Sequence, residues 1–342
     1  MAQVEVRAPV SIFDDIGQLC NFGWARGPFF HYDPNLIWAP RRCILESERY
    51  IIFSPTHLFV FDLCDSGVFG HFSICAVSLL DKTISGKFEK LSFPMGALEL
   101  PNQSESSVIK KTIKNNRVEF ICIEDAGRII KIDAPQVNRN NRLRGEVVLL
   151  PQEDTQSISV NSPWRRQRER FQLIRCSPCY TVEGVMQFEN TPLIFSRGRA
   201  WGIYEWVRMA RPANDIHYWA AACGMYRGRQ IGFNVGYGSA DSAAGTENAF
   251  FVNGTLHKLD QVTFRISPSN WLEPWNFTSN NKRLEMTFIP VQRNSYQNNF
   301  LFHSVRVRQF FGFFSGRVTL DDGSVLYFNN IAGIAERRKT YN

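Results

Sequence analysis

From Tyr50 onward the chain is written as short apolar runs separated by tight-turn signals, and that punctuation restricts the folds open to it more than any other feature. Tyr50 to Phe53 and His57 to Leu63 flank Ser54-Pro55-Thr56, and Val118 to Ile123 and Ile129 to Ile132 flank Asp125-Ala126-Gly127. Later, Phe250 to Val252 and Thr255 to Leu259 bracket Asn253-Gly254, a pair suited to two positive-φ positions. Leu284, Met286 and Phe288 alternate with polar neighbours, as do Val305 and Val307, while Val318 and Leu320 face Val325 and Tyr327 across Asp322-Gly323. Long helical periodicity is missing between these units, which disfavours a parallel sheet with its crossover helices. Antiparallel hairpins leave open edges unless the sheet closes, so the pattern predicts an all-β protein of two antiparallel up-and-down barrels in tandem.

A length of 342 residues suits two cores, with 28 Phe and 8 Trp supplying bulk for them. One short N-terminal helix is expected, capped by Ser11, with Ile12, Phe13, Ile16 and Leu19 on one face and Asp14 and Asp15 in its first turn. The polar stretch from Gln152 to Arg170 suggests a domain break near Arg175, giving barrels over 1–175 and 176–342.

The formal charge of +7 draws attention to Arg165, Arg166, Arg168 and Arg170, and to Arg337, Arg338 and Lys339. Both clusters are local and read as solvated loop or terminal charge, so no nucleic-acid partner is expected. The N-terminal residues form no export signal and no stretch is apolar for the roughly 18 residues of a membrane span, so a cytoplasmic, reducing setting is expected. The 8 cysteines then read as free thiols. Cys176-Ser-Pro-Cys179 lacks the second pair of a zinc site and the βαβ setting of a redox motif, and reads as a turn before a strand. No HExxH, phosphate-binding loop, dinucleotide fingerprint or GxSxG elbow occurs, so no metal or cofactor is expected.

The stretch from Arg197 to Trp275 concentrates what remains. Trp201, Tyr204, Trp206, Trp219, Trp271 and Trp275 are large for ordinary strand surfaces, and Gly232, Gly236, Gly238 and Gly245 permit close backbone approach. These residues either wall a pocket or fill a barrel interior. Glu205, Asp241 and Glu247 stand among apolar and small residues, where lost hydration would raise a carboxyl pKa and suit a general acid; Thr246 and Asn248 could orient Glu247. The catalytic candidates are therefore Glu247, Asp241 and Glu205. Asn234, Asn248 and His257 join the six aromatic residues as ligand-binding candidates.

Four strings carry a resemblance to a known family: NFGWARGPFF, GFN…TENAFFVNGTLHKL, WLEPW and RQFFGFFSGRVTLDDG. Together they resemble the DUF2804 family, a domain of unknown function, over nearly the whole chain. More distantly, the architecture is similar to the calycin-type tandem-lipocalin proteins, a group with carotenoid hydratases and tocopherol cyclase. That likeness implies two up-and-down barrels, an apolar cavity and cofactor-free chemistry. The functional expectation is binding or sequestration of a small hydrophobic molecule, a lipid, isoprenoid or pigment. The alternative is a cofactor-free isomerase, cyclase or hydratase acting on such a ligand, and a basic interaction module is a third option.

Overall fold

The computed structural model describes residues 3–92, 98–138, 141–188, 190–212, 214–300 and 303–341. Among them the chain forms a 13-stranded sheet, a 9-stranded sheet and a parallel two-stranded pair, Val10–Ser11 with Phe30–His31. Every pairing within the two large sheets is antiparallel. The hairpin signals hold: Asn116–Ile123 turns into Gly127–Asn138, and Ala249–Val252 into Thr255–Lys258 with Asn253 and Gly254 at φ 47° and 83°.

In the first sheet the main path runs from Thr83–Ser92 through Ile44–Phe53, Trp201–Ala210 and Phe171–Phe188 to Ser107–Ile113. It curls strongly. A Cβ on Gly86, in the edge strand, would lie 2.9 Å from Val137 and 3.0 Å from the Phe188 ring, both from the opposite half of the sheet. The second sheet begins at Thr255–Lys258 and ends at Val262–Arg265, strands joined by only Leu259, Asp260 and Gln261. Nine strands laid flat would set those edges about 38 Å apart, whereas that link spans at most about 14 Å. The sheet must therefore bend round to near closure. Each sheet forms a barrel-like half, and the chain passes from one to the other between Ala210 and Asp215. Arg175 lies inside the strand Phe171–Phe188 of the first sheet.

Among the described residues three large apolar cores result, beside a small cluster of Leu45, Trp164, Ile174, Val207 and Met209. Tyr50, Phe59, Phe61, Phe72 and Phe120 fill the first half, and Phe233, Trp275, Phe288 and Phe314 fill the second. The third core lies between the halves, with Ile51, Val60, Trp201 and Ile203 from one sheet against Trp219, Phe251, Phe311 and Ile334 from the other. Because side chains alternate, Tyr50 and Ile52 enter the barrel while Ile51 and Phe53 face the seam, which leaves Ile44–Phe53 buried along its whole length. Each large apolar side chain buried there contributes about 1.5–3 kcal/mol of transfer free energy.

The expected N-terminal helix is absent. Ser11 Oγ accepts the Phe13 N–H at 3.0 Å, and Asp14 Oδ1 accepts those of Ile16 and Gln18 at 3.0 and 2.8 Å. These are the side-chain acceptors that would cap a helix, used instead for a turn that Gly17 completes at φ 77°. The C-terminal basic cluster is likewise no loop. Arg337, Arg338 and Lys339 sit in the strand Val325–Tyr341, where Arg338 is paired with Glu336. The CSPC segment lies within Phe171–Phe188 as a bulge, with the register shifting between Ser177 and Tyr180 and Cys179 at φ 73°. All eight cysteines are free thiols.

Candidate functional site

The hairpin Asp215–Tyr226 and Arg229–Tyr237 places Trp219 opposite Gly236 and Ala221 opposite Asn234. His217, Trp219, Asn234 and Gly236 thereby share one face, and the loop that returns to Ala249 lays Glu247 across it. Glu247 Oε1 lies 2.6 Å from His217 Nε2. Asn234 Nδ2 donates to Glu247 Oε2 at 3.1 Å and to its carbonyl at 2.9 Å, while Asn234 Oδ1 accepts the Trp219 indole N–H at 2.7 Å. Trp219, Asn234 and Glu247 are all buried, so the carboxylate is held rigidly in a low-dielectric wall. Asn248 steadies the same loop by accepting from the Gly236 N–H at 2.7 Å and donating to the Asp260 carbonyl at 2.8 Å. Lys258 Nζ reaches Thr246 Oγ1 at 2.8 Å and the Asn248 carbonyl at 3.0 Å, and burial lowers its pKa to about 7.

Gly236 is required by this arrangement. A Cβ there would overlap Glu247 Oε1. Gly236→Ala is accordingly expected to push the carboxylate off His217 and to cost a few kcal/mol of stability, about the size of breaking a buried ion pair, because Glu247 also loses its Asn234 hydrogen bond. An NMR titration of His217 should show its pKa dropping towards the ordinary histidine value; an unchanged titration would contradict the pairing.

Burial opposes the charged imidazole of His217, but the charge and hydrogen bond of Glu247, assisted by Asp215, outweigh it and raise the pKa above the ordinary range. Among the described residues its Nδ1 has no hydrogen-bond partner. The pair borders a cavity of about 370 Å³ at the seam, whose walls include Ser162 and Gln172 from the first sheet and Thr263 from the second, with Arg165 at its rim.

Of the residues singled out in the sequence, the structure brings together Glu247, Asn234, Asn248 and Trp219. Glu205 lies elsewhere in the seam, in a buried ion network. Arg49 sends Nη1 to Glu205 at 3.3 Å and Nη2 to Asp62 and Glu336 at 3.1 and 3.3 Å. Gln309 and Arg338 also reach Glu336. Burial, against the pull of Arg49 and with the push of Glu336, raises Glu205 to about 7. Arg49 lies 5.5 Å from the Trp219 ring centroid, so this indole separates the network from the Glu247 site.

Asp241 is on the rim, 2.8 Å from Arg168, whose hydrogen bond lowers its pKa. Trp201 belongs to the seam core, Tyr204 and Trp206 to the first barrel, and Trp271 and Trp275 to the second, where Trp275 donates to the Trp271 carbonyl at 2.9 Å. His257 pairs with Asp321 at 3.3 Å. Cys176 and Cys179 are buried thiols with pKa values raised by desolvation, and no group of three or more His, Cys, Asp or Glu among the described residues could hold a metal ion.

His217 escaped the sequence reading. Its signal was the Arg227-Gly228 turn, both at positive φ, which fixes the hairpin register and lets one count back to His217 beside Trp219 and Gly236.

Fold and site together define a tandem of lipocalin-like barrel halves with a buried carboxylate–imidazole pair at their seam. The chain belongs to the DUF2804 family, described as a domain of unknown function, whose model matches residues 3–341. Kievitone hydratase from Nectria haematococca is similar in structure, with a TM-score of 0.50 at 11% identity over 86% of this chain and 89% of that one. CghA with Sch210972 gives 0.49 at 10% identity over 88% and 89%. A putative AttH from Nitrosomonas europaea gives 0.47 at 8% over 87% and 92%. At such identities the likeness to the hydratase establishes the fold alone. No curated protein sequence matches the chain. Among the described residues no helix is long and apolar enough to cross a membrane.

Proposed function

We propose that this chain is a cofactor-free acid–base enzyme of the hydratase or isomerase type, acting on a small unsaturated molecule in the seam cavity. The observation that carries the reading is the His217–Glu247 pair, 2.6 Å apart, bordering a cavity of about 370 Å³. Glu247 raises the proton affinity of His217 and favours its cationic form, in which one N–H is directed at Oε1 and the Nδ1–H is available to a ligand. Donation of that proton to an enone oxygen lets water form a C–O bond at the β-carbon as the π pair moves to give the enol; the water proton returns to Nδ1 and the enol tautomerises to the hydrated ketone. If Nδ1 instead takes up a γ C–H proton, the dienol that forms is reprotonated at the α-carbon and the double bond has moved. Glu247 acts here as the positioning residue and counter-ion.

The second barrel gives less support to simple sequestration of a polyene, because its interior is occupied by its own rings: Phe288 and Phe314 stack at 4.3 Å and Trp275 meets Phe310 at 5.0 Å. Kievitone hydratase, which shares the fold, is named for a water addition, a reaction of this class; a shared fold assigns no substrate. Eight free thiols agree with a cytoplasmic setting.

The reading is tested by incubating the protein with a small-molecule extract in heavy water and following deuterium uptake by mass spectrometry. Wild-type protein should label at least one compound, and His217→Gln should slow that labelling by about 10²-fold or more. The rate should fall as pH rises through the raised His217 pKa. Equal labelling by wild type and both His217→Gln and Glu247→Gln, or none by wild type, would overturn the proposal.

A further inference from the structure

The first barrel contains a guanidinium that no carboxylate answers. Arg128, in the strand Gly127–Asn138, is 2% exposed. Its Nε donates to Tyr180 Oη at 3.3 Å, Nη1 to Tyr50 Oη at 3.4 Å, and Nη2 to the Ser104 carbonyl. The guanidinium carbon stands 3.4 Å from the Tyr204 ring centroid. Among the described residues Arg128 makes no ion pair. Glu48 feels its charge, but that carboxylate already receives Arg208 Nη2 at 2.8 Å and the Tyr204 hydroxyl at 2.5 Å. Nearby Arg175 is paired with Glu105. Of the three guanidiniums Arg128, Arg175 and Arg208, two are paired, Arg175 with Glu105 and Arg208 with Glu48, and Arg128 alone has no carboxylate partner among the described residues; Glu124 and Asp125 line the nearby hollow as exposed, solvated acids. The tyrosines cannot supply the missing anion at neutral pH, since burial raises Tyr50 and Tyr204 further above the ordinary phenol range. A buried cation without a counter-ion is strongly unfavourable unless something else completes its surroundings.

Room for that completion exists. Arg128 lines a hollow of about 300 Å³ together with Tyr180, Ser177 and Arg175. A second hollow of about 550 Å³ adjoins it along the Arg175–Glu105 pair and is bounded by Phe30, Leu173 and Trp206. Three buried polar atoms of these walls, Ser177 Oγ, Ser159 Oγ and Trp206 Nε1, have no hydrogen-bond partner among the described residues. Unanswered polar atoms, a guanidinium without a carboxylate partner and adjoining space coincide at one mouth of the first barrel.

We propose that these hollows form a second binding site, separate from the seam cavity, for a small organic carboxylate with an apolar, ring-sized body. The carboxylate completes the surroundings of Arg128, and the body lies against Trp206 and Leu173. One guanidinium without a carboxylate partner matches one carboxylate, the exposed Glu124 and Asp125 disfavour a dianionic phosphate, and the aromatic and aliphatic wall favours an apolar body over a bare inorganic ion.

Calorimetric titration of the full chain with benzoate and with benzamide tests this. Saturable one-to-one benzoate binding is expected, weaker by about tenfold or more for the neutral amide and by a similar factor in Arg128→Met. That variant should fold, because it removes a buried charge that leaves no carboxylate unpaired; should it fail to fold, the benzoate-to-benzamide ratio of the wild-type protein decides alone. His217→Gln should bind benzoate like wild type. The absence of saturable benzoate binding, equal binding of benzamide, or loss of binding in His217→Gln but not in Arg128→Met would overturn the proposal. The last of these would place the anion in the seam cavity instead.

Discussion

Replacing Arg49 with methionine is expected to cost about 3–5 kcal/mol of folding stability, the loss typical of breaking a buried ion pair from one side. Arg49 is the one group that touches all three buried carboxylates Asp62, Glu205 and Glu336. With it removed, Arg338 alone would balance them, and it meets Glu336 only at 3.5 Å. The Asp62, Glu205 and Glu336 strands come from both sheets, so the damage should spread over the seam rather than fray one edge. Urea unfolding measured by fluorescence and by circular dichroism would check this. A midpoint within error of wild type would mean that the network is solvated or that the acids are already neutral.

A second large effect should follow pH. The buried Arg49 and the partly exposed Arg338 face three acids in the network, and burial, with the push of Glu336 against the pull of Arg49, raises the pKa of Glu205 from 4.5 to about 7. Between those values the folded chain holds a proton that the unfolded chain has released. Stability from this group is therefore fully present below about 4.5, is lost as pH rises through about 7, and is flat beyond. The integrated loss is about 3 kcal/mol, since each pH unit between the unfolded and folded pKa removes roughly 1.4 kcal/mol. Chemical denaturation over that range should show the slope in wild type and its absence in Glu205→Gln, whose amide mimics the protonated acid. Identical pH profiles would rule out Glu205 as the titrating group.

Much of the architecture was legible from local chemistry. The turns at Asp125-Ala126-Gly127 and Asn253-Gly254 fix their hairpins with little help from the rest of the chain, and period-two alternation identified strands such as Leu284–Phe300. The failures have a common origin. Ser11 and Asp14 accept backbone N–H groups in turns as well as at helix starts, and only the pairing of Val10–Ser11 with Phe30–His31 decides between the two uses. Arg338 looked like terminal charge because Asp62 and Arg49, the buried groups that act on it beyond its strand neighbour Glu336, reach it only when the two sheets come together.

The site was half readable for the same reason. Glu247, Asn234 and Asn248 lie close in sequence and carry distinctive chemistry, so their convergence could be anticipated. Glu205 shares their acidity but points into a network built from strands over a hundred residues apart, and no local pattern distinguishes it from Glu247. The aromatic residues from Trp201 to Trp275 could be read either as a pocket wall or as barrel filling, and alternation sends neighbours such as Trp201 and Tyr204 into different cores. His217 was overlooked because an isolated histidine on a strand has no motif; its partner is defined only after the hairpin register is counted.

Trp219, with a guanidinium over its face and an amide on its N–H, gives the seam a further property. The charge of Glu247 is felt at Glu205 through this layer. Thermodynamic linkage makes that influence mutual: whatever alters the ionisation of one acid alters the proton affinity of the other by the same free energy. A ligand that changed the ionisation of Glu247 would therefore shift the proton affinity of Glu205 on the far side of the indole, and an interior ion network that looks purely structural would serve as a reservoir for the site it adjoins.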